Sequence, residues 1–365
     1  MMIDYSSRKV LVLYCGGTAG MLPTGPDGAL APAPLNELKK NIPELEQLPY
    51  QMEYREFYNE EGNLIDSSNA DYPLYNSLAV EVGDAQDYYD GIVVIFGTDT
   101  MGPCAGAQGY LLDGLKKPLV LTGAMTPAYE KENDARENII DSIHLAARSG
   151  YDIPLIPEPV ICFHGNVVRG VQSYKYSTSP TDPNSFKSTD GQILAQIENG
   201  NITVNEDAIL KPPTATERLI VRELPYKPFT IHPVYIDALG LQSDELLAQT
   251  GEYIATGDGA LLLDGIARSD KRTITMLEKY APSALPIFLT QHEPSPNPAW
   301  NNAGRTMDFQ QAMIKAQYVM NLTRDPALIQ RLFGANLRGE LDGPIESESK
   351  IIAEYEREKM GPPIR

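Results

Sequence analysis

Short runs of aliphatic and β-branched residues recur along the first half of the chain. Residues 10–14, 92–96, 119–121 and 160–163 are apolar at successive positions, so both faces of an extended segment would be buried. This pattern is typical of strands inside a parallel sheet that is covered on both sides. We therefore predict four buried parallel strands in this half.

The clearest helical pattern lies over residues 137–147, where Ile139 and Ile143 fall on one face. Asn133 and Asp134, just before it, are candidate helix caps. Because strands and helices alternate, we predict an α/β fold with a larger N-terminal parallel sheet.

A polar stretch with four prolines, residues 192–228, interrupts this alternation. Strand and helix patterns then resume, which predicts a smaller C-terminal α/β domain. Strands are expected near residues 229–231, 260–263 and 287–289, and helices over 308–320 and 326–333. The predicted division is an N-terminal α/β domain over 1–205, a linker over 206–228, a C-terminal α/β domain over 229–345 and a charged tail over 346–365.

The charge balance narrows the choice of partners. The 365 residues include 30 Lys and Arg against 49 Asp and Glu, a formal net charge of −19. Such a field repels phosphate backbones and anionic lipid, so we expect neither nucleic acid nor membrane as a partner.

The sequence shows no signal-peptide pattern at its start and no run of about 18 apolar residues, so we expect neither export nor membrane insertion.

The cysteines and histidines suggest neither a disulfide framework nor a metal site. Cys15, Cys104 and Cys162 are an odd number and lie in or beside apolar segments, which favours buried, reduced thiols and a cytoplasmic protein. The four histidines show no metal-ligand spacing. We therefore expect no metal and no other cofactor.

Three polar segments could carry chemistry. Residues 15–21, which are rich in glycine, and residues 97–101 directly follow buried strands, and the carboxyl ends of strands are where open α/β sheets place their sites. Residues 66–69 offer hydroxyl groups and main-chain donors to a carboxylate. Taken singly, each segment is also typical of a turn or a helix cap, and forming a turn is the more frequent role of a segment like 66–69.

The order of these segments resembles the L-asparaginase family. Gly-Gly-Thr at 16–18, Asp-Ser-Ser at 66–68, Gly-Thr-Asp-Thr-Met at 97–101 and Thr-Gly-Ala-Met at 122–125 follow one another as they do in that family. The resemblance continues through Arg-Gly and Lys within 169–175. Asn-Leu-Arg-Gly-Glu-Leu at 336–341 is similar to the end of the type I, cytoplasmic bacterial branch.

The resemblance implies specific roles, carried over position by position. Thr18 matches the family's nucleophile, and Thr98, Asp99 and Lys175 match a hydrogen-bonded proton relay. The residues implied in substrate binding are Asp66, Ser67 and Ser68, which would hold the amino-acid end, and Ala124, which would line the site. Asp99 would also face the substrate's ammonium group.

The resemblance further implies a flavodoxin-like N-terminal domain with the site at the carboxyl edge of its sheet, and a homodimer or homotetramer.

The threonine, aspartate and lysine side chains of the implied site suit amide hydrolysis. A carboxamide is a poor electrophile, so a hydroxyl must be activated and the resulting oxyanion stabilised by preorganised donors. Lysine in a desolvated site can accept the proton that such activation releases.

The sequence departs from the family in the parts that complete the site. The family's lid tyrosine falls near Ala29, within Pro-Thr-Gly-Pro-Asp-Gly-Ala-Leu, and is absent. Tyr14 cannot be assumed to replace it. Residues 264–270 lack the asparagine that type I enzymes lend to a neighbouring subunit, and residues 292–300 replace a glycine-rich region with a proline-rich segment containing the single tryptophan.

Three functions follow as hypotheses. The first is an amidohydrolase that releases ammonia from asparagine, or a close analogue, through an acyl-enzyme on Thr18. The second is an enzyme of the same fold that acts on another carboxamide or transfers the acyl group to an acceptor other than water. The third is a protein that binds an amino acid without turnover, although such a protein has little need of Lys175.

Overall fold

The structure is a computed structural model that describes most of the chain. The described residues are 3–25, 28–58, 62–67, 70–182, 184–236, 260–265, 287–289, 301–302 and 307–360. The chain divides into two compact units, Met1–Glu223 and Leu224–Arg365. The finer predicted bounds, with a linker over 206–228 and a tail from 346, stay a prediction.

The first unit alternates strands and helices. Its helices are α1 (Leu35–Asn41), α2 (Tyr72–Ala85), α3 (Met101–Leu111) and α4 (Ala135–Arg148), with 3₁₀ helices over Thr18–Gly20, Pro43–Gln47 and Gly170–Gln172. Its strands are β1 (Lys9–Tyr14), β2 (Met21–Pro23), β3 (Leu30–Pro32), β4 (Gln51–Glu56), β5 (Gly91–Ile95), β6 (Leu112–Asp113), β7 (Leu119–Thr122), β8 (Pro159–Phe163), β9 (Asn166–Arg169), β10 (Ser173–Lys175), β11 (Phe186–Ser188), β12 (Ala195–Glu198), β13 (Asn201–Val204) and β14 (Ile220–Val221). The four predicted buried strands are confirmed as β1, β5, β7 and β8, and the predicted helix as α4.

The main sheet is mixed, so the prediction of a parallel sheet holds for only part of it. Its eight strands run in the order β13-β12-β9-β8-β7-β5-β1-β4. Five neighbouring strands, β4, β1, β5, β7 and β8, are parallel to one another. The strands β9, β12 and β13 extend the sheet through antiparallel pairs.

Two tight hairpins form two of the three antiparallel pairs, β8–β9 and β12–β13. His164-Gly165 joins β8 to β9 with φ angles of 48° and 72°, and Asn199-Gly200 joins β12 to β13 with φ angles of 51° and 75°. Two successive residues with positive φ form the type of turn that matches the twist of a hairpin and reverses the chain.

The parallel strands form the centre of the core. The side chains of β1 after Lys9 and all those of β5, β7 and β8 are buried. α4 packs its apolar face, with Ile139 and Ile143 fully buried, into the same cluster. This rigid layer holds the strand ends from which the polar segments leave. No helix among the described residues is long and apolar enough to cross a membrane.

Within its described residues, the second unit contains a parallel sheet and three helices. Its strands, in sheet order, are β15 (Ile231–Ile236), β16 (Ala260–Gly265), β17 (Ile287–Leu289) and β18 (Asn301–Asn302). Its helices are α5 (Phe309–Leu322), α6 (Pro326–Gly334) and α7 (Glu348–Met360). The strands and helices predicted for this half therefore exist, each near its expected position.

The Asn-Leu-Arg-Gly-Glu-Leu segment, residues 336–341, forms a buried ion pair and several hydrogen bonds in this unit. Lys315 Nζ pairs with Glu340 at 2.5 Å, and both side chains are 0% exposed. Glu340 also accepts hydrogen bonds from the amides of Leu337 and Arg338, while Asn336 accepts one from Gly339. Removing one partner of such a buried pair leaves an uncompensated charge, so the segment fixes the connection after α6.

Candidate active site

The turn that carries Thr18 begins directly after β1. Gly16 and Gly17 have φ angles of 78° and 89°, a left-handed conformation that glycine adopts readily. A methyl group at Gly17 would lie 2.6 Å from the amide nitrogen of Gly97, and one at Gly16 would lie 2.0 Å from the carbonyl oxygen of Ile65. Glycine at both positions therefore lets the turn lie against the two other polar segments. Thr18 opens the 3₁₀ helix and is half-buried.

The segment after β4 approaches the same place through Ser67. Ser67 is 0% exposed, and its Oγ accepts a hydrogen bond of 2.6 Å from the amide of Gly97. The hydroxyl of Thr100 donates to the carbonyl of Ser67. Asp66, which precedes it, is half-buried, and Ser68 lies outside the described residues. The Ser67 side chain therefore holds the backbone of the neighbouring segment.

A cation joins the two side chains that follow β5. Lys175, at the end of β10, donates from Nζ to Thr98 Oγ1 at 2.8 Å and to Asp99 Oδ1 at 2.7 Å. Thr98 is 6% exposed, whereas the Asp99 side chain is 70% exposed and that of Lys175 is 18% exposed. A buried hydroxyl, an amine and an open carboxylate thus form one hydrogen-bonded group.

The loop after β7 lies beside both of these segments. A methyl group at Gly123 would lie 2.3 Å from the carbonyl oxygen of Phe96. Further along the loop, the amide of Ala128 donates to the carbonyl of Ala19 at 3.0 Å. Ala124, between these contacts, is fully buried. The loop is therefore in contact with both the Thr98 segment and the Thr18 turn.

The polar segments thus meet at the carboxyl ends of β1, β5 and β7. The predicted site residues carried by these contacting segments are Thr18, Asp66, Ser67, Thr98, Asp99, Ala124 and Lys175. Their chemical roles stay predictions.

The thiols near these strands are unsuited to nucleophilic chemistry. Cys15, Cys104 and Cys162 are free and buried, as predicted. Burial raises the pKa of the Cys15 and Cys104 thiols, and raises that of Cys162 to about 12, so all three remain protonated near neutral pH. Within the described residues, no group of three or more His, Cys, Asp and Glu side chains could hold a metal ion.

Residues 9–210 match the protein family described as "Asparaginase, N-terminal". This match covers more than half of the chain. The chain belongs to the asparaginase family.

Two curated relatives show how far the likeness extends. L-asparaginase from Dirofilaria immitis is 29% identical over 256 residues, which are 64% of this chain and 40% of that protein. The chain thus spans about two fifths of this relative's length. L-asparaginase 1 from Escherichia coli K12 is 25% identical over 352 residues, covering 92% of this chain and 98% of that protein.

A solved asparaginase has the same fold. The thermostable L-asparaginase from Thermococcus kodakarensis matches with a TM-score of 0.76 and 21% sequence identity, covering 92% of this chain and 100% of that one. This likeness extends the family's α/β architecture to the present chain.

Other motifs of the asparaginase resemblance are structural. Arg169 pairs with Glu158 at 3.0 Å, and the two side chains are 7% and 3% exposed. A methyl group at Gly170 would lie 2.8 Å from the carbonyl oxygens of both Ala105 and Pro159. These residues hold the connection from β9 to β10, at whose end Lys175 lies.

The residues for which the resemblance implies a lid form a hairpin after Thr18. β2 and β3 pair, and Thr24 donates from its amide and its hydroxyl to the carbonyl of Ala29 at 2.8 and 3.0 Å. Tyr14 is fully buried and donates its hydroxyl to the carbonyl of Ala33 at 2.9 Å. Tyr14 therefore packs in the core, with its hydroxyl bonded to the backbone.

The second departure from the family pattern falls almost entirely outside the described residues. Asp264 and Gly265 end β16, but residues 266–270 and 292–300 are not among those described.

Two polar residues at the start of α4 make contacts that the sequence did not predict. Asp134 was expected to cap the helix, but its carboxylate instead accepts hydrogen bonds from the amides of Met125 and Thr126. Asn138, predicted only as part of a helix, donates to the carbonyl of Gly123. Helical spacing gave no signal for these contacts, because they join the helix to a loop that the pattern does not describe.

Proposed function

We propose that this asparaginase-family protein is an amidohydrolase that converts the side-chain amide of L-asparagine, or a close analogue, to the acid and ammonia. The observation that carries the proposal is the hydrogen-bonded group of Thr98, Asp99 and Lys175. It adjoins the Thr18 turn through the contact between Gly17 and Gly97. Two hydroxyls, a carboxylate and an amine are the groups that acyl transfer to a hydroxyl nucleophile requires.

The reaction proceeds in two steps. Thr18 Oγ attacks the amide carbon as its hydroxyl proton passes to the relay. The C–N bond of the tetrahedral intermediate then breaks as a proton from the relay is given to the leaving nitrogen, which departs as ammonia. Water attacks the resulting ester, releasing the acid and restoring the hydroxyl. The Gly-rich turn and the neighbouring strand ends supply backbone amides for the oxyanion. The chain from Thr98 Oγ1 through Lys175 Nζ to Asp99 Oδ1 carries protons between nucleophile, water and solvent.

The exposed part of the site suits the amino-acid end of the substrate. Asp99 leaves most of its carboxylate open, so it can meet an ammonium group while still bonded to Lys175. Asp66 and Ser68 belong to the segment that we propose to hold the same end of the substrate. Ser67 supports this segment through Gly97.

A second candidate is hydrolysis of a different or larger carboxamide, or transfer of the acyl group to another acceptor. The absence of tyrosine from residues 23–30 favours it, because the lid that completes the family's site lacks its phenol. In this case Thr18 would be activated through Lys175 alone.

We further propose a cytoplasmic homodimer or homotetramer. The three free, buried cysteines support a reducing compartment. The oligomeric state follows from the family resemblance and is tested by the molar mass in solution.

An ammonia-release assay tests the proposal. L-asparagine, L-glutamine and asparaginyl peptides are compared as substrates, and activity toward free asparagine is expected to dominate. Preference for the peptides would favour the second candidate. Tight amino-acid binding without ammonia release over hours would favour a binding protein.

Two variants test the residues. We expect Thr18→Ala and Lys175→Met each to lower kcat by at least about 10³-fold in a folded protein. Lys187→Met is the matched control, since Lys187 lies on β11, the strand paired with that of Lys175. Full activity in either Thr18→Ala or Lys175→Met would rule out this mechanism.

A further inference from the structure

We infer that Asp134 and Asn138 are positioning residues of the site, holding the loop after β7 in the geometry that the reaction needs. The inference rests on the proposed function, because it assigns these side chains a part in ammonia release. It starts from a carboxylate and an amide that are buried at the beginning of α4 and directed at backbone groups.

Asp134 binds the loop through two consecutive amides. One carboxylate oxygen accepts from Thr126 at 2.8 Å, and Met125 donates to both oxygens, at 2.9 and 3.1 Å. The side chain is 2% exposed. Hydrogen bonds from backbone amides to a buried carboxylate are stronger than neutral ones, and the charge lies at a helix N-terminus, where the dipole stabilises it.

Asn138 extends this anchor by one turn of the helix. Its amide nitrogen donates to the carbonyl of Gly123 at 3.0 Å and to Asp134 at 3.2 Å. Its amide oxygen accepts from the backbone of His164, which has a φ angle of 48°. The polar atoms of this amide, 1% exposed, thus join the loop to the turn between β8 and β9.

The anchored residues lie between the two halves of the proposed reaction centre. Gly123 is in contact with the carbonyl of Phe96, two residues before Thr98. The amide of Ala128, two residues after Thr126, donates to Ala19, which follows Thr18. Asp134 and Asn138, at the start of α4, bind the backbone of residues 123–126. We therefore infer that they fix the positions of Ala124 and of the Thr18 turn.

We infer that α4 positions the loop after β7 in addition to packing against the sheet. The apolar residues of α4 pack into the core, whereas the fixed direction of residues 123–126 depends on the polar atoms of Asp134 and Asn138. Displacement of reacting groups by about 1 Å can cost about 10²-fold in rate. Substrate held by the Asp66 and Asp99 segments would lose less in affinity, because Asp134 directs its hydrogen bonds to the loop after β7.

The test compares Asp134→Asn, which keeps the shape of the side chain, with Asp134→Ala. Asp141→Asn is the matched control, since Asp141 lies two turns further along α4 and is a half-buried aspartate of the same helix. We expect kcat for ammonia release to fall by about 10²-fold in Asp134→Ala and by less in Asp134→Asn. The Kd for L-aspartate should change by less than about threefold, and the control should keep the wild-type kcat.

Hydrogen–deuterium exchange supplies a readout that does not need turnover. In both Asp134 variants, the amides of Met125 and Thr126 should exchange faster than in the wild type and in Asp141→Asn. Unchanged exchange at these amides, or unchanged kcat, overturns the inference.

Two further outcomes are separable. Faster exchange spread evenly over the whole of β1, β5 and β7 would show a merely structural role and would also overturn the inference. A wild-type protein that releases no ammonia would refute the proposed function; the exchange measurement would then still decide whether Asp134 holds the loop.

Discussion

Ser67 shows how a residue in a predicted binding motif can act through the backbone. The family resemblance implies that it touches substrate, yet its side chain is fully buried and accepts from the amide of Gly97. Gly97 directly precedes Thr98, so this bond fixes the direction in which the relay leaves β5. We interpret Ser67 as the link between the Asp66 segment and the relay.

Removing the Ser67 hydroxyl should therefore cost stability as well as activity. Ser67→Ala leaves the amide of Gly97 buried without its acceptor, which costs about 1–3 kcal/mol of the free energy of unfolding. Ser77→Ala is the control, because the Ser77 hydroxyl bonds within the exposed face of α2 and its loss should cost no more than about 0.5 kcal/mol. Denaturant unfolding measures both. Equal stability of the two variants would contradict this role.

The site residues that the sequence predicted are those whose chemistry is visible in a short motif. Thr98, Asp99 and Lys175 are such residues, and the structure brings them within hydrogen-bonding distance although 76 residues of chain separate Asp99 from Lys175. Asp134 was missed because a carboxylate before a helix has the same sequence pattern whether it caps the helix or binds a distant loop. Its role depends on which amides the fold presents to it.

At the scale of elements, burial decided which strands were predictable. β1, β5, β7 and β8 are apolar at nearly every position because helices cover both faces of the sheet. β4, at the sheet edge, alternates exposed and half-buried positions over most of its length and gave no such run. The antiparallel strands had a usable signal in Asn199-Gly200, a dipeptide that favours a tight hairpin.

The contact between α4 and the residue before β4 should make stability depend on pH. The hydroxyl of Tyr50 forms a hydrogen bond of 2.7 Å with His144 Nδ1, and burial raises the pKa of this hydroxyl to about 12. Burial, followed by the positive charge of Arg148, lowers the pKa of His144 below its usual value. Below about pH 6.5 the unfolded chain therefore binds more protons at this residue than the folded one, and stability falls as the pH falls through the folded pKa.

The free energy of unfolding is expected to be lower at pH 5.5 than at pH 7.5, and the difference should shrink in His144→Gln. Denaturant titrations at the two pH values measure this, at a pH where most carboxylates are still ionised. An undiminished difference in His144→Gln would assign the pH dependence to other groups.

The whole molecule carries a net charge of −19, and its field acts on every unit of the chain. Self-repulsion of this size opposes compaction, and salt screens it. The same field repels an anionic substrate but exerts little net force on free asparagine, whose ammonium and carboxylate groups cancel. A small zwitterionic amide therefore suits this protein better than an acidic one.

Raising the salt concentration should thus stabilise the protein without weakening its affinity for asparagine. Between about 0.01 and 0.15 M salt the screening length falls from about 30 to about 8 Å, so Tm should rise over this range. KM for free asparagine should stay nearly constant, because the field exerts little net force on a zwitterion. NaCl, KCl and choline chloride should act alike, since screening depends on ionic strength alone. A Tm that rises with only one of the three salts would indicate a specifically bound ion, and a Tm that does not rise would show that self-repulsion does not limit the stability of this fold.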